Sequence, residues 1–275
     1  MTYKWILLTA GLGDSNMQEA ALRVAKCAAK FGKFSQVITL NSSNISRLCP
    51  TVNSKYSNLL NSKTRGFGFM SWKAELVYRT LLENIESYGV VWVDAGCELS
   101  PSAFSVLKLS RNLNKANRDG FLFFNLNTPE SEYTKREVFY EFPKLIYPDS
   151  SPQAQTTYFA LAGVNGLQIA RKWFEVVSKD AGFIDEEIRV QPLPFFKEHR
   201  HDQSIFSLTL KENGYHANMK PLRNGRGHLI SRYLTFLFDP IVAARNRTGN
   251  SIIPICIQRL NGLSLRLLKY FSLIK

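Results

Sequence analysis

Residues 5–40 read WILLTAGLGDSNMQEAALRVAKCAAKFGKFSQVITL, and this stretch decides the fold. The apolar run at residues 5–9 predicts a buried strand that ends in a glycine-containing loop. Residues 18–31 carry alanines and leucines at helical spacing, and Gly32 stands where a helix usually ends. Residues 36–40 predict a second strand. Strand, helix and strand at this spacing form a βαβ unit, which implies a parallel sheet.

The same alternation continues to about residue 220. Residues 41–63 are polar and read as irregular or partly helical. Further strands are predicted at residues 88–93, 120–126, 155–162 and 215–219, and helices from Ser71, from Ser100-Pro101, and over residues 164–178 and 201–213. We therefore expect one α/β catalytic domain over residues 1–220, followed by a basic, hydrophobic extension over residues 221–275.

Composition limits the class of protein. The 275 residues are 45% hydrophobic, which provides enough apolar surface for a sizeable core. The four cysteines are scattered without a CxxC pair, so neither a zinc site nor a disulfide framework is indicated, and reduced thiols fit a cytoplasmic location. No signal peptide is recognisable, and no run reaches the ~20 apolar residues of a spanning helix. We expect a soluble or peripherally attached protein.

The positive charge is concentrated near the end of the chain. The net charge is +13, and residues 221–275 hold nine basic side chains and one acid, a balance of 9 − 1 = +8. Residues 260–271 place leucines and Phe271 on one helical face. This pattern is typical of an interfacial helix on an anionic bilayer, and the same face could instead pack on the catalytic domain.

The loop after the first strand is the first candidate ligand site, because ligands of open α/β sheets bind beyond the carboxyl ends of the strands. In the donor-binding candidate segment from Thr9 to Asn16, the two glycines Gly11 and Gly13 could bring backbone amides to a nucleotide, and Asp14 could accept a hydrogen bond from a ribose or a base. Asn16 stands where a dinucleotide fingerprint would have its third glycine. The alternative is an ordinary turn in which Asp14 or Ser15 caps the helix.

The second candidate is YGVVWVDAGCELS, residues 88–100. A hydrophobic run delivers Asp94 to the end of a strand, where a carboxylate can hold a divalent cation that neutralises a diphosphate. Ala95 follows, and Gly96 allows backbone to approach a ligand closely. Glu98 is either a second oxygen ligand or a solvated residue before the next helix.

The segment RGFGFMSWK, residues 65–73, suits an anionic donor. Gly68 permits an unusual loop backbone, while Arg65 and Lys73 flank the loop with positive charge. Lys73 near a helix start could reach a pyrophosphate, and Trp72 could stack on a base or sugar ring. The alternative places the aromatic residues in the core and Lys73 on the surface.

These two segments together resemble a pattern of GT-A-fold, nucleotide-sugar-dependent glycosyltransferases, specifically bacterial and algal-virus enzymes of polysaccharide synthesis. The matching residues are Gly66, Gly68, Phe69, Trp72, Lys73, Asp94, Ala95, Gly96 and Cys97. The resemblance implies a Rossmann-type α/β/α sandwich with a mainly parallel sheet, and a nucleotide-sugar donor. It also implies a glycan or polyprenyl-diphosphate-linked acceptor of capsule or lipopolysaccharide synthesis, at the cytoplasmic face of the membrane.

The resemblance also implies a divalent cation, Mn²⁺ or Mg²⁺. One departure bears on it, since the second aspartate of the family's DxD motif is replaced by Gly96. Asp94 and His228 are the candidate metal ligands, because many members of the family complete the metal site with a histidine near the end of the domain. His199 and His201 could also ligate a metal, although lone histidines more often serve packing.

The segment HDQS, residues 201–204, resembles the acidic motif that opens a late helix in many GT-A domains. Asp202 is the candidate catalytic carboxylate, either as a base toward the acceptor hydroxyl or as a stabiliser of the sugar centre. The structural alternative is that Asp202 caps its helix.

Two other functions compete with glycosyl transfer. A Rossmann-type enzyme that uses NAD or S-adenosylmethionine should carry an acidic residue at the end of the second strand, but Asn41 stands there. The net charge alone would suit a nucleic-acid-binding protein, yet no helix-turn-helix, RRM or zinc pattern is present. We expect no nucleic-acid partner.

Overall fold

The structure is a computed structural model that describes residues 2–217, 219 and 229–253. Its strands are β1 (Lys4–Ala10), β2 (Gln36–Leu40), β3 (Tyr88–Val93), β4 (Glu98–Leu99), β5 (Phe121–Leu122), β6 (Asn125–Pro129), β7 (Pro152–Ala154), β8 (Tyr158–Leu161) and β9 (Ile241–Val242). Its helices are α1 (Ser15–Lys30), α2 (Ile45–Leu48), α3 (Pro50–Lys55), α4 (Gly66–Phe69), α5 (Trp72–Asn84), α6 (Ala103–Asp119), α7 (Glu130–Tyr133), α8 (Arg136–Phe139), α9 (Gly163–Lys179), α10 (His201–Glu212) and α11 (Leu229–Phe238).

The central sheet has the strand order β2-β1-β3-β8-β5. Strands β2, β1 and β3 are parallel, while β8 runs antiparallel to both of its neighbours, so β5 again points the same way as β3. The predicted α/β class with a mainly parallel sheet is confirmed. The carboxyl ends of β1 and β3 lie side by side, and the loop after β1 therefore adjoins Asp94.

Helices cover both faces of this sheet. Successive residues of a strand point to opposite faces. Accordingly Leu7, Val91 and Val93 pack with residues of α1 and α6. Ile6, Leu8 and Trp92 pack with residues of α5, α9 and α10 on the other face. The result is the three-layer α/β/α arrangement that the resemblance implies.

Several predicted elements differ in extent. The strand predicted at residues 120–126 is divided into β5 and β6, and β6 pairs with β7 in a separate antiparallel ladder with an irregular register. Of the strand predicted at residues 215–219, the described residues form a single bridge between Phe124 and Met219. Helix α1 begins at Ser15, three residues earlier than predicted, because Asp14 caps it.

A buried ion pair fixes the loop that follows β3. The Arg23 guanidinium of α1 pairs with Glu98, and it also donates to the carbonyl oxygens of Ala95 and Cys97. Asn246 donates its side-chain amide to Glu98 at 2.5 Å. Glu98 is therefore neither a metal ligand nor a solvated residue, and both expectations for it were wrong. Its carboxylate satisfies buried donors that connect residues 95–98 to residues 246–252.

Part of the predicted extension lies outside the described residues. This holds for His228 and for the amphipathic segment at residues 260–271. Residues 229–253 are described, and their strand β9 pairs antiparallel with β4 beside the Asp94 loop. Within the described part of the chain, no helix combines the length and the hydrophobicity needed to cross a bilayer.

Candidate active site

The glycine-aromatic segment forms a left-handed turn. All five residues from Gly66 to Met70 have positive φ angles, between 54° and 90°. Three of them are not glycine, and each costs about 1–2 kcal/mol in this conformation. Trp72 stabilises the turn because its indole N–H donates to the carbonyl oxygens of Gly66 and Phe67, at 3.3 and 3.0 Å. Such strain persists only where the surroundings enforce it, which makes this turn a candidate functional element.

The left-handed turn lies next to two other parts of the site. A Cβ atom placed on Gly13, in the loop after β1, would lie 3.9 Å from the Phe67 ring. The Phe69 ring lies 4.8 Å from the His201 ring, at the start of α10. The turn therefore joins the loop after β1 to the loop that precedes Asp202.

Gly68→Ala is expected to lower the free energy of unfolding by about 2–4 kcal/mol, because it combines a left-handed backbone with a crowded position. The new Cβ would meet the Leu60 side chain at 2.7 Å. Gly214→Ala is the matched control, since Gly214 also has positive φ but nothing within 4 Å of an added Cβ. We expect it to lose only about 1 kcal/mol in urea titrations. Equal losses in the two variants would argue against a packed, enforced turn.

The centre of the site is a lysine held between two aspartates. The Lys73 ammonium on α5 lies 3.2 Å from Asp94 Oδ1 and 3.2 Å from Asp202 Oδ2. Lys73 and Asp202 are buried, whereas the Asp94 side chain is 36% exposed. The indole of Trp92 donates to the same Asp94 Oδ1 at 2.7 Å. Asp94 therefore has one oxygen fixed by the protein, while Oδ2 has no partner among the described residues.

The charges of this trio are set by burial and by mutual attraction. Burial opposes the charged form of Lys73, but Asp202 and Asp94 outweigh it and raise the lysine pKa above its ordinary value. Burial raises the pKa of Asp202 to about 6, Lys73 opposes that shift, and Asp94 adds to it. At neutral pH the Lys73 ammonium is therefore charged and the Asp202 carboxyl group is ionised.

Asp202 does not cap its helix. Helix α10 begins at His201, its N-cap position is Arg200, and the Asp202 side chain turns inward to Lys73. The backbone is pinned there because the Trp173 indole donates to the Asp202 carbonyl oxygen at 2.9 Å. The alternative of a simple capping residue was wrong.

The two neighbouring histidines bind backbone. His199 Nε2 lies 2.8 Å from the Phe183 carbonyl oxygen, and His201 Nδ1 lies 2.6 Å from that of Ile184. Burial, followed by the charge of Lys135, holds the His199 pKa well below its usual range. Burial also lowers the His201 pKa. Both side chains therefore serve packing as neutral imidazoles around the Asp202 loop.

The predicted donor residues divide into exposed and buried groups. Asp14, Arg65 and Asp94 have solvent-accessible side chains, and Gly96 is partly accessible. Asp14 also caps α1, since Met17 N donates to its Oδ1 at 2.7 Å. The buried members are Thr9, Gly11, Gly68, Trp72, Lys73 and Ala95.

Burial changes the interpretation of this second group. Lys73 contacts carboxylates instead of reaching outward to a phosphate, because it lies on the inner face of α5. Trp72 packs against Trp92, 5.9 Å between ring centroids, and does not offer its face to a ligand. Gly11 permits close packing, because a Cβ there would meet the Met17 carbonyl oxygen at 2.5 Å. The side chains of these residues lie beneath the exposed surface of the site, and their contact with a donor stays a prediction.

The described residues do not fit a divalent cation on their own. No group of three or more His, Cys, Asp or Glu side chains in residues 2–217, 219 and 229–253 is placed to hold a metal ion. Asp94 offers one oxygen, and the ammonium of Lys73 lies close to its other oxygen. Glu98 and Asp202 are paired with Arg23 and Lys73. A metal would need ligands beyond this set, and the assignment of Asp94 and His228 stays a prediction.

Sequence reasoning missed three contributors. Trp92 precedes Asp94 by two residues, so strand alternation could have indicated that the two side chains share a face. Thr156 Oγ1 lies 3.5 Å from the Lys73 ammonium, but its position depends on the antiparallel β8. Arg245 is exposed, has a φ of 55°, and its Cα would lie 3.5 Å from a Cβ on Gly96. A hydrogen bond of 2.9 Å from Asn246 N to the Gly96 carbonyl oxygen holds this segment in place.

Comparison with known proteins gives structural similarities only. No protein-family model and no curated protein matches the sequence. The structure is similar to the apo form of mouse xyloside xylosyltransferase 1, with 14% identity, 90% of this chain and 99% of that chain covered, and a TM-score of 0.42. It is also similar to a glycosyltransferase involved in the glycosylation of the major capsid of PBCV-1, with 10% identity, 94% and 98% coverage, and a TM-score of 0.39.

Proposed function

We propose that the protein is a glycosyltransferase that uses a nucleoside-diphosphate sugar, with the donor bound at the carboxyl ends of β1 and β3. The observation that carries the proposal is the state of Asp94. One of its oxygens is fixed by Lys73 and Trp92. The other faces solvent at the carboxyl ends of the strands, where ligands of open α/β sheets bind. A carboxylate held in this way accepts hydrogen bonds from hydroxyl groups of a sugar with little loss of side-chain entropy.

Positive charge beside Asp94 suits a diphosphate. Arg245 is exposed next to Gly96, and its backbone is tied to the Asp94 loop. Arg65 is 53% exposed at the start of the left-handed turn, and its one acidic neighbour within 4 Å among the described residues is Glu198. Guanidinium groups are well matched to phosphate oxygens. We assign the diphosphate to the surface between these arginines and the sugar hydroxyls to Asp94.

In this proposal Asp202 acts through Lys73. Its carboxylate is buried and lies 3.2 Å from the ammonium that fixes Asp94. A direct role for Asp202 on the acceptor stays a prediction, and its burial favours the indirect role. Asp202 would then be a positioning residue that keeps Lys73 charged and in place.

The pH dependence of the reaction tests this role. Because burial raises the pKa of Asp202 to about 6, kcat/KM is expected to fall below about pH 6, where the carboxylate becomes protonated and releases Lys73. This acidic limb of the pH profile reports the titration of the Asp202–Lys73–Asp94 trio as a whole. Asp202→Asn should remove the limb and lower kcat/KM at pH 8 roughly a hundredfold. An unchanged acidic limb in Asp202→Asn would assign the titration to another group.

The acceptor and location are inferred from charge and sequence. A glycan or polyprenyl-diphosphate-linked acceptor of capsule or lipopolysaccharide synthesis fits a protein with a net charge of +13 and a basic, apolar extension. We propose that the enzyme works as a peripheral protein on the cytoplasmic face of the membrane, with a hexose as the transferred sugar.

A donor screen tests the proposed function directly. The full chain is incubated with UDP-, GDP- and dTDP-sugars, with and without Mn²⁺, and release of the nucleoside diphosphate is measured. NAD and S-adenosylmethionine are included as thermal-shift ligands. We expect hydrolysis or stabilisation by one class of nucleotide sugar. Stabilisation by NAD or S-adenosylmethionine, with no response to any nucleotide sugar, would contradict the proposal.

A further inference from the structure

An apolar patch lies exposed where α6 meets α11. Phe104 and Leu107 on α6, and Leu234 and Phe238 on α11, are each 40–53% exposed. The rings of Phe104 and Phe238 lie 5.1 Å apart, so the two helices form one continuous surface. We name these four residues the α6–α11 patch. Clustered exposed hydrophobic residues of this kind mark a partner surface, whereas scattered ones do not.

The α6–α11 patch is fixed to the loop that carries Asp94. The hydroxyl group of Ser102, the N-cap residue of α6, donates to the Leu237 carbonyl oxygen at 2.5 Å, and Ser100 donates to that of Phe236. These bonds satisfy carbonyl groups at the end of α11. The patch therefore lies on the side of the sheet where the strands have their carboxyl ends and where Asp94 is exposed.

Basic residues border the α6–α11 patch. Arg111 follows Leu107 by one helical turn and is exposed, and Lys108 is 43% exposed although it pairs with Asp239. Ile253, the last described residue, packs with Phe236 of α11 and with Val242 in a buried cluster. The sequence after Ile253 contains Arg259, Arg266, Lys269 and Lys275 among apolar residues, and no acid. Apolar side chains bordered by cations are complementary to an anionic lipid surface and unlike a typical protein interface core.

We propose that the α6–α11 patch is the surface by which the protein lies on an anionic bilayer. The four apolar side chains enter the boundary between headgroups and acyl chains, and the bordering cations meet lipid phosphates. This inference rests on the proposed function in one respect: the orientation brings the Asp94 edge to the membrane, where a lipid-linked acceptor would be presented.

Vesicle binding by full-length variants tests the proposal. Phe104→Ser/Leu107→Ser and Leu234→Ser/Phe238→Ser are compared with the wild type in cosedimentation with phosphatidylcholine vesicles, with and without phosphatidylglycerol. We expect the wild type to prefer the anionic vesicles and each double variant to bind them at least about tenfold more weakly. The control is Ile146→Ser/Val164→Ser, which removes two apolar residues outside the patch that are even more exposed, at 85% and 64%, and should bind like the wild type.

Unchanged vesicle affinity in both patch variants would overturn the proposal. If that result came with a lower Tm, the occupant of the patch would be the chain's own residues 254–275 instead of lipid. An equal loss in the control variant would also overturn it, because binding would then follow total surface hydrophobicity. The response to nucleotide sugars, as donor hydrolysis or as thermal stabilisation, is measured on the same variants. The absence of both responses in the wild type would contradict the proposed function and leave the vesicle result to stand separately.

Discussion

Lys73→Met is expected to lower the rate of sugar transfer roughly a hundred- to a thousandfold, because Asp94 loses the charge that fixes it. The same change leaves Asp202 buried beside an uncharged side chain. Removing one partner of a buried ion pair costs about 3–5 kcal/mol of folding free energy. Steady-state kinetics and urea unfolding of the purified variant measure the two effects separately.

The stability loss should depend on pH in a defined direction. Without Lys73, the pKa of Asp202 rises further, and a raised carboxyl pKa contributes stability at low pH that is lost as pH rises. The difference in unfolding free energy between wild type and Lys73→Met should therefore be smaller at pH 5 than at pH 8. A pH-independent difference would mean that Lys73 and Asp202 are not coupled.

Lys135→Met is the matched control for this variant. Lys135 is as deeply buried as Lys73, but its ammonium binds Asp185 at 3.0 Å and the Gly182 carbonyl oxygen at 2.6 Å. We expect it to lower stability to a similar extent and to leave kcat/KM of the remaining folded enzyme near the wild-type value. Equal kinetic losses in both lysine variants would show that the rate follows stability alone.

Asp94→Asn is expected to abolish measurable transfer with little change in stability. The side chain is 36% exposed, and Lys73 keeps Asp202 as a partner when Asp94 is neutral. The amide preserves the shape of the residue but removes the negative charge that hydroxyl groups of the donor would meet, and we expect a loss of roughly a thousandfold or more in kcat/KM.

Asp180→Asn is the matched control for Asp94. Asp180 is 46% exposed, pairs with Arg189 at 3.0 Å, and caps a short turn after α9. It should keep the wild-type kcat/KM within about twofold, because its partner Arg189 is not part of the candidate site. Stability should also change little, since surface ion pairs contribute little to it. Wild-type turnover in Asp94→Asn would remove the donor-site assignment.

The layers of the fold could be predicted from local pattern. The run at residues 88–93 matches β3 residue for residue, and Gly32 adopts the left-handed conformation expected after α1. Periodicity identifies buried faces because side-chain direction follows secondary structure. Periodicity does not reveal strand direction. The sequence therefore predicted a strand near β8 but not that this strand runs antiparallel to β3.

Sequence reasoning selected the candidate residues, but it did not predict the contacts that they make with one another. Asp94, Lys73 and Asp202 were each selected from separate motifs, and the structure brings them together across 129 residues of chain. The sequence could not show that Lys73 faces inward to two carboxylates, because that depends on how α5 packs against β3 and α10. Nor could it show that Glu98 pairs with Arg23, because that contact depends on how α1 packs on the loop after β3.

The left-handed turn illustrates a further limit. Gly66 and Gly68 signalled an unusual backbone, but Phe67, Phe69 and Met70 adopt the same conformation without being glycine. Local propensity opposes that choice, and tertiary contacts from Trp72 and His201 override it. Such positions are where sequence-based reasoning is expected to fail at functional sites.

Calorimetric titration of the full chain with nucleotide sugars tests the central claim most directly. We predict that the wild type binds one class of nucleotide sugar and that Asp94→Asn binds it at least about thirtyfold more weakly, a difference near 2 kcal/mol. Equal binding of that donor by the two proteins, or no binding of any nucleotide sugar by the wild type, would contradict the assignment of Asp94 to the donor site.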